Sequence, residues 1–170
     1  MFEEECVPFA PALIESMRSL GYSFQSAVAD LLDNSISAKA ENIYIFSSPS
    51  DNPSLIIFDD GCGMSASQLY EAMRYGSSNP LDERDTDDLG RFGLGMKSAS
   101  LSQCRKLIVA SKQDGEVNAY AWDLDHVINS ESWMLRGFSQ EEIEKFPDIQ
   151  LLDEVEHGTY IYLSEFDRIK

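Results

Sequence analysis

Leu55-Ile56-Ile57-Phe58-Asp59-Asp60-Gly61-Cys62-Gly63-Met64 is the stretch on which the fold turns. Four strand-favouring apolar residues run straight into two carboxylates, then into two glycines spaced by one residue. A strand that ends this way delivers a carboxylate to the rim of a sheet, and the glycines let the backbone turn sharply and come close to a ligand. Placed there, Asp59 can accept a hydrogen bond from an exocyclic amino group such as that of adenine. The same residues also suit an ordinary turn after a strand, because Asp and Gly are common turn residues.

Working outward, 43–46 is a second β-rich run, set off by Ser, Pro, Asn and Asp, so the two runs read as a hairpin. Upstream, 8–20 reads as a short amphipathic helix ended by Gly21. Ser23 caps a longer helix whose apolar face is Phe24, Ala27, Val28, Leu31 and Leu32. Downstream, Ser65 and Gln68 form a capping box for a helix to about Arg74. A helix follows at 94–101, strands at 106–111, 117–122 and 160–163, and Ser139 with Glu142 starts a helix stopped by Pro147. This interleaving predicts an α/β (α+β) two-layer sandwich, with helices packed on one face of a mixed, mainly antiparallel sheet. Residues 75–90 break the pattern. Small turn residues and then the charged run 82–88 predict a mobile loop long enough to carry a function.

The bulk properties bound the class. A chain of 170 residues, 43% hydrophobic and 11% aromatic, can bury one core, and 1–170 reads as a single domain. No apolar run reaches the length of a membrane span. Acid at Glu3, Glu4 and Glu5 replaces the base of a secretion signal, which predicts an intracellular protein. Three scattered cysteines, Cys6, Cys62 and Cys104, fit neither a disulfide framework nor a zinc site. A net charge of −17 repels phosphate backbones, so direct nucleic-acid binding is not expected. A bound phosphate must instead be met by backbone amides, a cation or a few local basic groups.

Two further segments offer that chemistry. In Asp30-Leu31-Leu32-Asp33-Asn34-Ser35, the residues Asp30, Asp33 and Asn34 share one helix face opposite the apolar one. Asn34 offers a neutral oxygen to Mg²⁺, which keeps several waters and takes phosphate oxygens. Asp30 can orient and deprotonate an attacking water. The same trio also reads as a solvated face ending in an Asn-Ser cap. In Gly90-Arg91-Phe92-Gly93-Leu94-Gly95-Met96-Lys97-Ser98, glycines before a helix leave amides free to cradle phosphates. It is not a P-loop, because Met96 stands where Lys must follow the glycine, and it is not a dinucleotide fingerprint, because Ser98 stands at the third glycine. His157-Gly158-Thr159 reads as a turn before a strand, where the Thr159 hydroxyl can share a water or ligand edge with Asp59.

In this combination and order, the segments resemble the GHKL ATPases, the family of DNA gyrase B, the ninety-kilodalton heat-shock chaperone, the histidine kinases and MutL. The helix from Asp30 to Ala38 resembles the family's N box, Asp59-x-Gly61-x-Gly63 its first glycine box, 90–97 its second, and Gly158-Thr159 its later Gly-Thr element. The likeness runs from about residue 24 to 163. The stretches 75–78 and 92–99 are most similar to microrchidia-type and related prokaryotic members. The resemblance implies a Bergerat fold with ATP or ADP and Mg²⁺ in a pocket under a lid at about 75–92. It implies Asp30 as catalytic base, Asn34 as the Mg²⁺ ligand, Asp59 and Thr159 at the adenine amino group, and Ala38 and Met64 lining the adenine pocket. It further implies nucleotide contacts from Gly61, Gly63, Ser77, Ser78, Gly90, Arg91, Phe92, Gly93, Leu94, Gly95 and Met96, with charge from Lys97. It places the chain at the amino-terminal part of a longer, ATP-dependent homodimer, cytoplasmic or, in a microrchidia-type protein, nuclear.

Two departures stand out. The family's usual base is Glu, and Asp30 is one methylene shorter, roughly 1.5 Å of reach. The catalytic Lys that gyrase-like members draw from a following domain has no counterpart in these residues. Two other readings remain open: an ATP-sensing module without turnover, and a histidine-kinase catalytic domain. For the latter, His126 and His157 read as strand or turn residues and not as a phosphoacceptor on a helix.

Overall fold

The computed structural model describes residues 1–19, 22–76 and 95–169. The expected helix stop at Gly21, most of the lid, and Ser77, Ser78, Gly90, Arg91, Phe92, Gly93 and Leu94 lie outside them. Six strands form one sheet: β1 (Ile43–Ser48), β2 (Ser54–Asp59), β3 (Cys104–Gln113), β4 (Glu116–Asp123), β5 (Arg136–Gly137) and β6 (Gly158–Phe166). Their order is β1-β2-β6-β3-β4-β5, and every pairing is antiparallel. The last strand in sequence is thus inserted between β2 and β3. That insertion brings the Gly-Thr element beside Asp59.

Helices α1 (Ala10–Arg18), α2 (Phe24–Ser37), α3 (Ala66–Met73), α4 (Gly95–Leu101) and α5 (Leu124–Ser130) supply one side of the main core. Local chemistry sets their starts. The Ser23 hydroxyl accepts from the Ser26 amide at 3.1 Å, and Ser65 and Gln68 close the expected capping box. Leu31 of α2, Leu69 and Met73 of α3, and Leu101 of α4 pack on Leu55, Ile57, Leu107, Val109, Ile161 and Leu163 of the sheet. At roughly 25 cal/mol per Å² of apolar surface, this layer is the main stabilising term. Arg18 ties α1 down: its buried guanidinium donates to the Leu101 carbonyl at 2.6 Å and pairs with Asp167 at 2.5 Å.

The expected two-layer sandwich is present, with an addition. On the opposite face Ile56, Phe58, Ala110, Ala119 and Tyr160 form a smaller core under Ile143 of α6 (Gln140–Ile143) and Leu152 of the 3₁₀ turn Ile149–Glu154. His126 requires a correction. It lies in α5 and not in a strand or turn, because Asp123 ends β4 and at once caps a helix, accepting from the His126 amide at 3.2 Å. Among the described residues no helix is long and apolar enough to cross a membrane.

Candidate functional site

Three rows of side chains cross β2, β6 and β3 on the helix-covered face. Register places Leu55 beside Leu163 and Leu163 beside Leu107, then Ile57 beside Ile161 and Ile161 beside Val109. The next row is Asp59, Thr159 and Ser111. Side chains alternate faces along a strand, so the polar row continues the same face as the two apolar rows. The sheet therefore changes from hydrocarbon to oxygen at one step. A buried polar group must find partners, and these three find one another and the neighbouring backbone.

Asp59 is only 3% exposed. One carboxylate oxygen accepts from the Ser35 hydroxyl of α2 at 2.7 Å, the other from the Gly61 amide at 2.9 Å. The Thr159 amide faces the same carboxylate. Burial holds the Asp59 pKa above the usual carboxylate range, and these three donors pull against it. Ser111 lies in contact with the Thr159 hydroxyl at 3.0 Å, donates to the Gly158 carbonyl at 3.0 Å and accepts from the Met64 amide at 2.9 Å.

The turn after Asp59 is clamped between the end of α2 and β3. The Cys62 amide donates to the Ala38 carbonyl at 2.9 Å, and the His157 ring hydrogen-bonds the Gly61 carbonyl. A Cβ on Gly61 would sit 2.8 Å from that of Ala38. Gly63 has φ +65°, and a Cβ there would fall on the Lys112 carbonyl oxygen. Both positions are closed to larger residues by contact, and Gly63 by conformation as well.

Above this floor lies a cavity of about 260 Å³ lined by Asn34, Ala38, Asp59, Gly63, Met64, Gly95, Met96, Lys97 and Thr159 among others. The structure thus brings together nine of the expected residues, with Gly61 directly behind them. Asp30 is not among the lining residues. It lies one turn before Asn34 on α2 and faces the Tyr22 hydroxyl, whose pKa is raised by burial and then by Asp30. Lys97 is buried, donates from Nζ to the Ala72 carbonyl at 2.6 Å and lies 5.7 Å over the Tyr75 ring. Burial lowers its pKa to about 8. Tyr75, expected at the start of the lid, packs edge-on against Trp122 at 5.2 Å.

The sequence reading missed Ser35, Ser111 and His157 as parts of the site. Ser35 carried a signal, since it continues the buried Ala27 and Leu31 stripe at helical spacing with a hydroxyl. Ser111 carried the same signal at strand spacing after Leu107 and Val109. Among the described residues no group of three or more His, Cys, Asp or Glu is placed to hold a metal ion. Asn34 offers one neutral oxygen at the cavity wall, which fits a cation that keeps most of its own waters.

The Asp59 carboxylate and the Thr159 hydroxyl, backed by Ser111, thus form one side of a cavity between the end of α2 and a glycine turn. The family described as Histidine kinase-, DNA gyrase B-, and HSP90-like ATPase matches residues 22–159, and the chain belongs to this ATPase family. It is similar to ATPase morc-1 of Caenorhabditis elegans, 33% identical over 95 residues, or 55% of this chain and 11% of that protein. It is similar also to DNA mismatch repair protein MutL of Afipia carboxidovorans, 31% identical over 101 residues (59% of this chain, 16% of that protein), and to MutL of Rickettsia felis, 30% identical over 96 residues (56% and 16%). The chain therefore spans only 11% to 16% of the length of these relatives.

Proposed function

We propose that this chain is one ATP-binding domain of a longer protein, in which Mg-ATP binding and slow hydrolysis drive lid closure and dimerisation. The observation that carries this reading is the polar row Asp59, Thr159 and Ser111, of which Asp59 and Thr159 line a cavity whose wall includes Asn34. Asp59 accepts from the adenine amino group, directly and through water shared with Thr159, while Ala38 and Met64 pack on the ring. Gly61 and Gly63 let the turn lie close to it. Asn34 holds Mg²⁺ through its side-chain oxygen, and the cation offsets phosphate charge on a domain whose own charge is −17. Ser77, Ser78 and the amides of residues 90–96 receive the phosphates, with Lys97 adding positive charge once its Nζ leaves the Ala72 carbonyl. Asp30 orients and deprotonates the attacking water.

A second reading, ATP sensing without turnover, is favoured by one observation: Asp30 is shorter than the family's glutamate and is not among the residues lining the cavity. Calorimetric titration with ATP, ADP and a non-hydrolysable ATP analogue, with and without Mg²⁺, tests the binding step. The expected result is magnesium-dependent binding of adenine nucleotides, with the magnesium dependence lost in Asn34→Ala. No binding by the wild-type chain would sink the reading. Phosphate release by the longer protein then separates turnover from sensing, and light scattering with and without ATP reads dimerisation.

A further inference from the structure

We propose that Ser111 fixes the direction of the Thr159 hydroxyl and thereby makes the pocket select a base carrying an amino group over one carrying a carbonyl at the same ring position. The inference rests on the adenine-nucleotide reading of the cavity and goes one residue deeper. Ser111 is 0% exposed, and its single hydroxyl faces three partners. A hydroxyl has one proton and two lone pairs. The Met64 amide, 2.9 Å away, can only donate, so it occupies one lone pair. The Gly158 carbonyl, 3.0 Å away, can only accept, so it takes the proton. What remains for Thr159 Oγ1, at 3.0 Å, is the second lone pair, so Thr159 donates to Ser111.

The opposite arrangement would give the Ser111 proton to Thr159 and leave two bare oxygens, Ser111 Oγ and the Gly158 carbonyl, facing each other at 3.0 Å in a buried site. Leaving a buried acceptor unpaired in this way is costly. The consequence reaches the cavity. With its proton committed to Ser111, Thr159 presents only lone pairs, beside an Asp59 carboxylate that already receives donors from Ser35 and Gly61. The floor then offers acceptors alone. An amino group brings two N–H donors to it. The carbonyl of hypoxanthine or guanine brings a third oxygen and is repelled.

The test is the ratio of ATP to ITP affinity, because ITP differs from ATP by a carbonyl in place of the amino group. Calorimetric titration of the wild-type chain should show clear preference for ATP. Ser111→Ala frees the Thr159 proton to turn toward the cavity and should lower the ratio by about fivefold to tenfold, the size of one neutral hydrogen bond, mainly by tightening ITP. In a Thr159→Val background the same Ser111 change should move the ratio by less than about twofold, since the cycle then lacks the group being oriented. Ser111→Gly, which also removes the hydroxyl, is read in the same way if Ser111→Ala does not fold, circular dichroism deciding that point. An unchanged ratio in a folded Ser111 variant overturns the inference, as does a change that persists without the Thr159 hydroxyl. Failure of the wild-type chain to bind ATP at all would instead strike the adenine reading itself, and this inference with it.

Discussion

Ser35 and Asp59, one on the buried stripe of α2 and the other at the end of β2, are both buried and joined by a 2.7 Å hydrogen bond. This bond fastens the helix that carries Asn34 to the sheet that carries the expected adenine contact. It also holds the carboxylate in its acceptor form, against the burial that raises its pKa.

The bond can be read through pH. Because burial places the folded Asp59 pKa above its unfolded value of about 3.8, the folded domain holds the proton more tightly. Stability linked to this group is full below the unfolded pKa and falls as pH rises through the folded one. Nucleotide binding runs the other way, since the acceptor form appears only above the folded pKa. Ser35→Ala removes one opposing donor and moves that pKa further up. ATP affinity measured from mildly acidic to neutral pH should therefore show its acid-side loss at higher pH in Ser35→Ala than in wild type. A midpoint that does not move would mean that the Ser35 bond does not govern the carboxylate.

Lys97 supplies a pH test of the opposite sign. Its folded pKa is lowered to about 8 by burial, from 10.5. Between those values the unfolded chain holds more protons than the folded one, so stability rises with pH across the window, and below it the cost of a buried ammonium is fully present. Lys97→Met removes that cost along with the bond to the Ala72 carbonyl, whose loss is independent of pH. The melting temperature of Lys97→Met relative to wild type should thus be most favourable near about pH 7 and decline toward about pH 10. An equal difference at both pH values would show that the ammonium is not desolvated.

Much of this was legible in the sequence, for local reasons. The hairpin of β1 and β2, the Ser65 capping box and the cap at Ser23 are set by residues a few positions apart, and each forms as the pattern predicts. The Asp59 turn was legible as a turn, and Asp59 as the carboxylate that ends β2 and lines the cavity. What could not be read was register. Nothing in 104–113 says that Ser111 will stand beside Thr159, because that pairing exists only after β6 inserts between β2 and β3. The α5 helix was missed because Leu124-Asp125-His126-Val127-Ile128-Asn129-Ser130 is short and carries β-branched Val127 and Ile128 at its centre, and its cap, Asp123, is also the last residue of a strand. Asp148, left-handed at φ 55°, starts the back-face 3₁₀ turn just past Pro147, where helix reading stops.

Two glycines separate conformation from contact. Gly63 and Gly115 both have positive φ, +65° and +79°, but a Cβ on Gly115 meets no described atom within 4 Å, whereas one on Gly63 overlaps the Lys112 carbonyl. Gly115→Ala should lose only the left-handed penalty, roughly 1–2 kcal/mol. Gly63→Ala must in addition displace the turn from β3, and a further loss of at least about 2 kcal/mol is expected. Because Met64 and Cys62 follow that displacement, ATP affinity should fall in Gly63→Ala and hold in Gly115→Ala. Chemical denaturation paired with ATP titration reads both. Equal destabilisation of the two variants would contradict the clamped turn.

Asp30 is where binding and turnover part. It stands one helical turn before Asn34, is not among the cavity-lining residues, and faces the Tyr22 hydroxyl. A base must come within hydrogen-bond reach of the water it activates, directly or through one more water. Asp30→Glu restores the missing methylene without touching Asn34 or Asp59, so nucleotide affinity should change by less than about twofold. In the longer protein, phosphate release should rise by at least about tenfold, a fraction of what a well-placed base contributes. Equal rates with wild-type turnover already fast would show that Asp30 reaches the water through an intervening one. Equal rates with negligible turnover in both would favour the sensing reading, in which ATP closes the domain and leaves only by dissociation. A fall in affinity would mean instead that the longer side chain enters the cavity, and that Asp30 lies nearer the nucleotide than its place on α2 indicates.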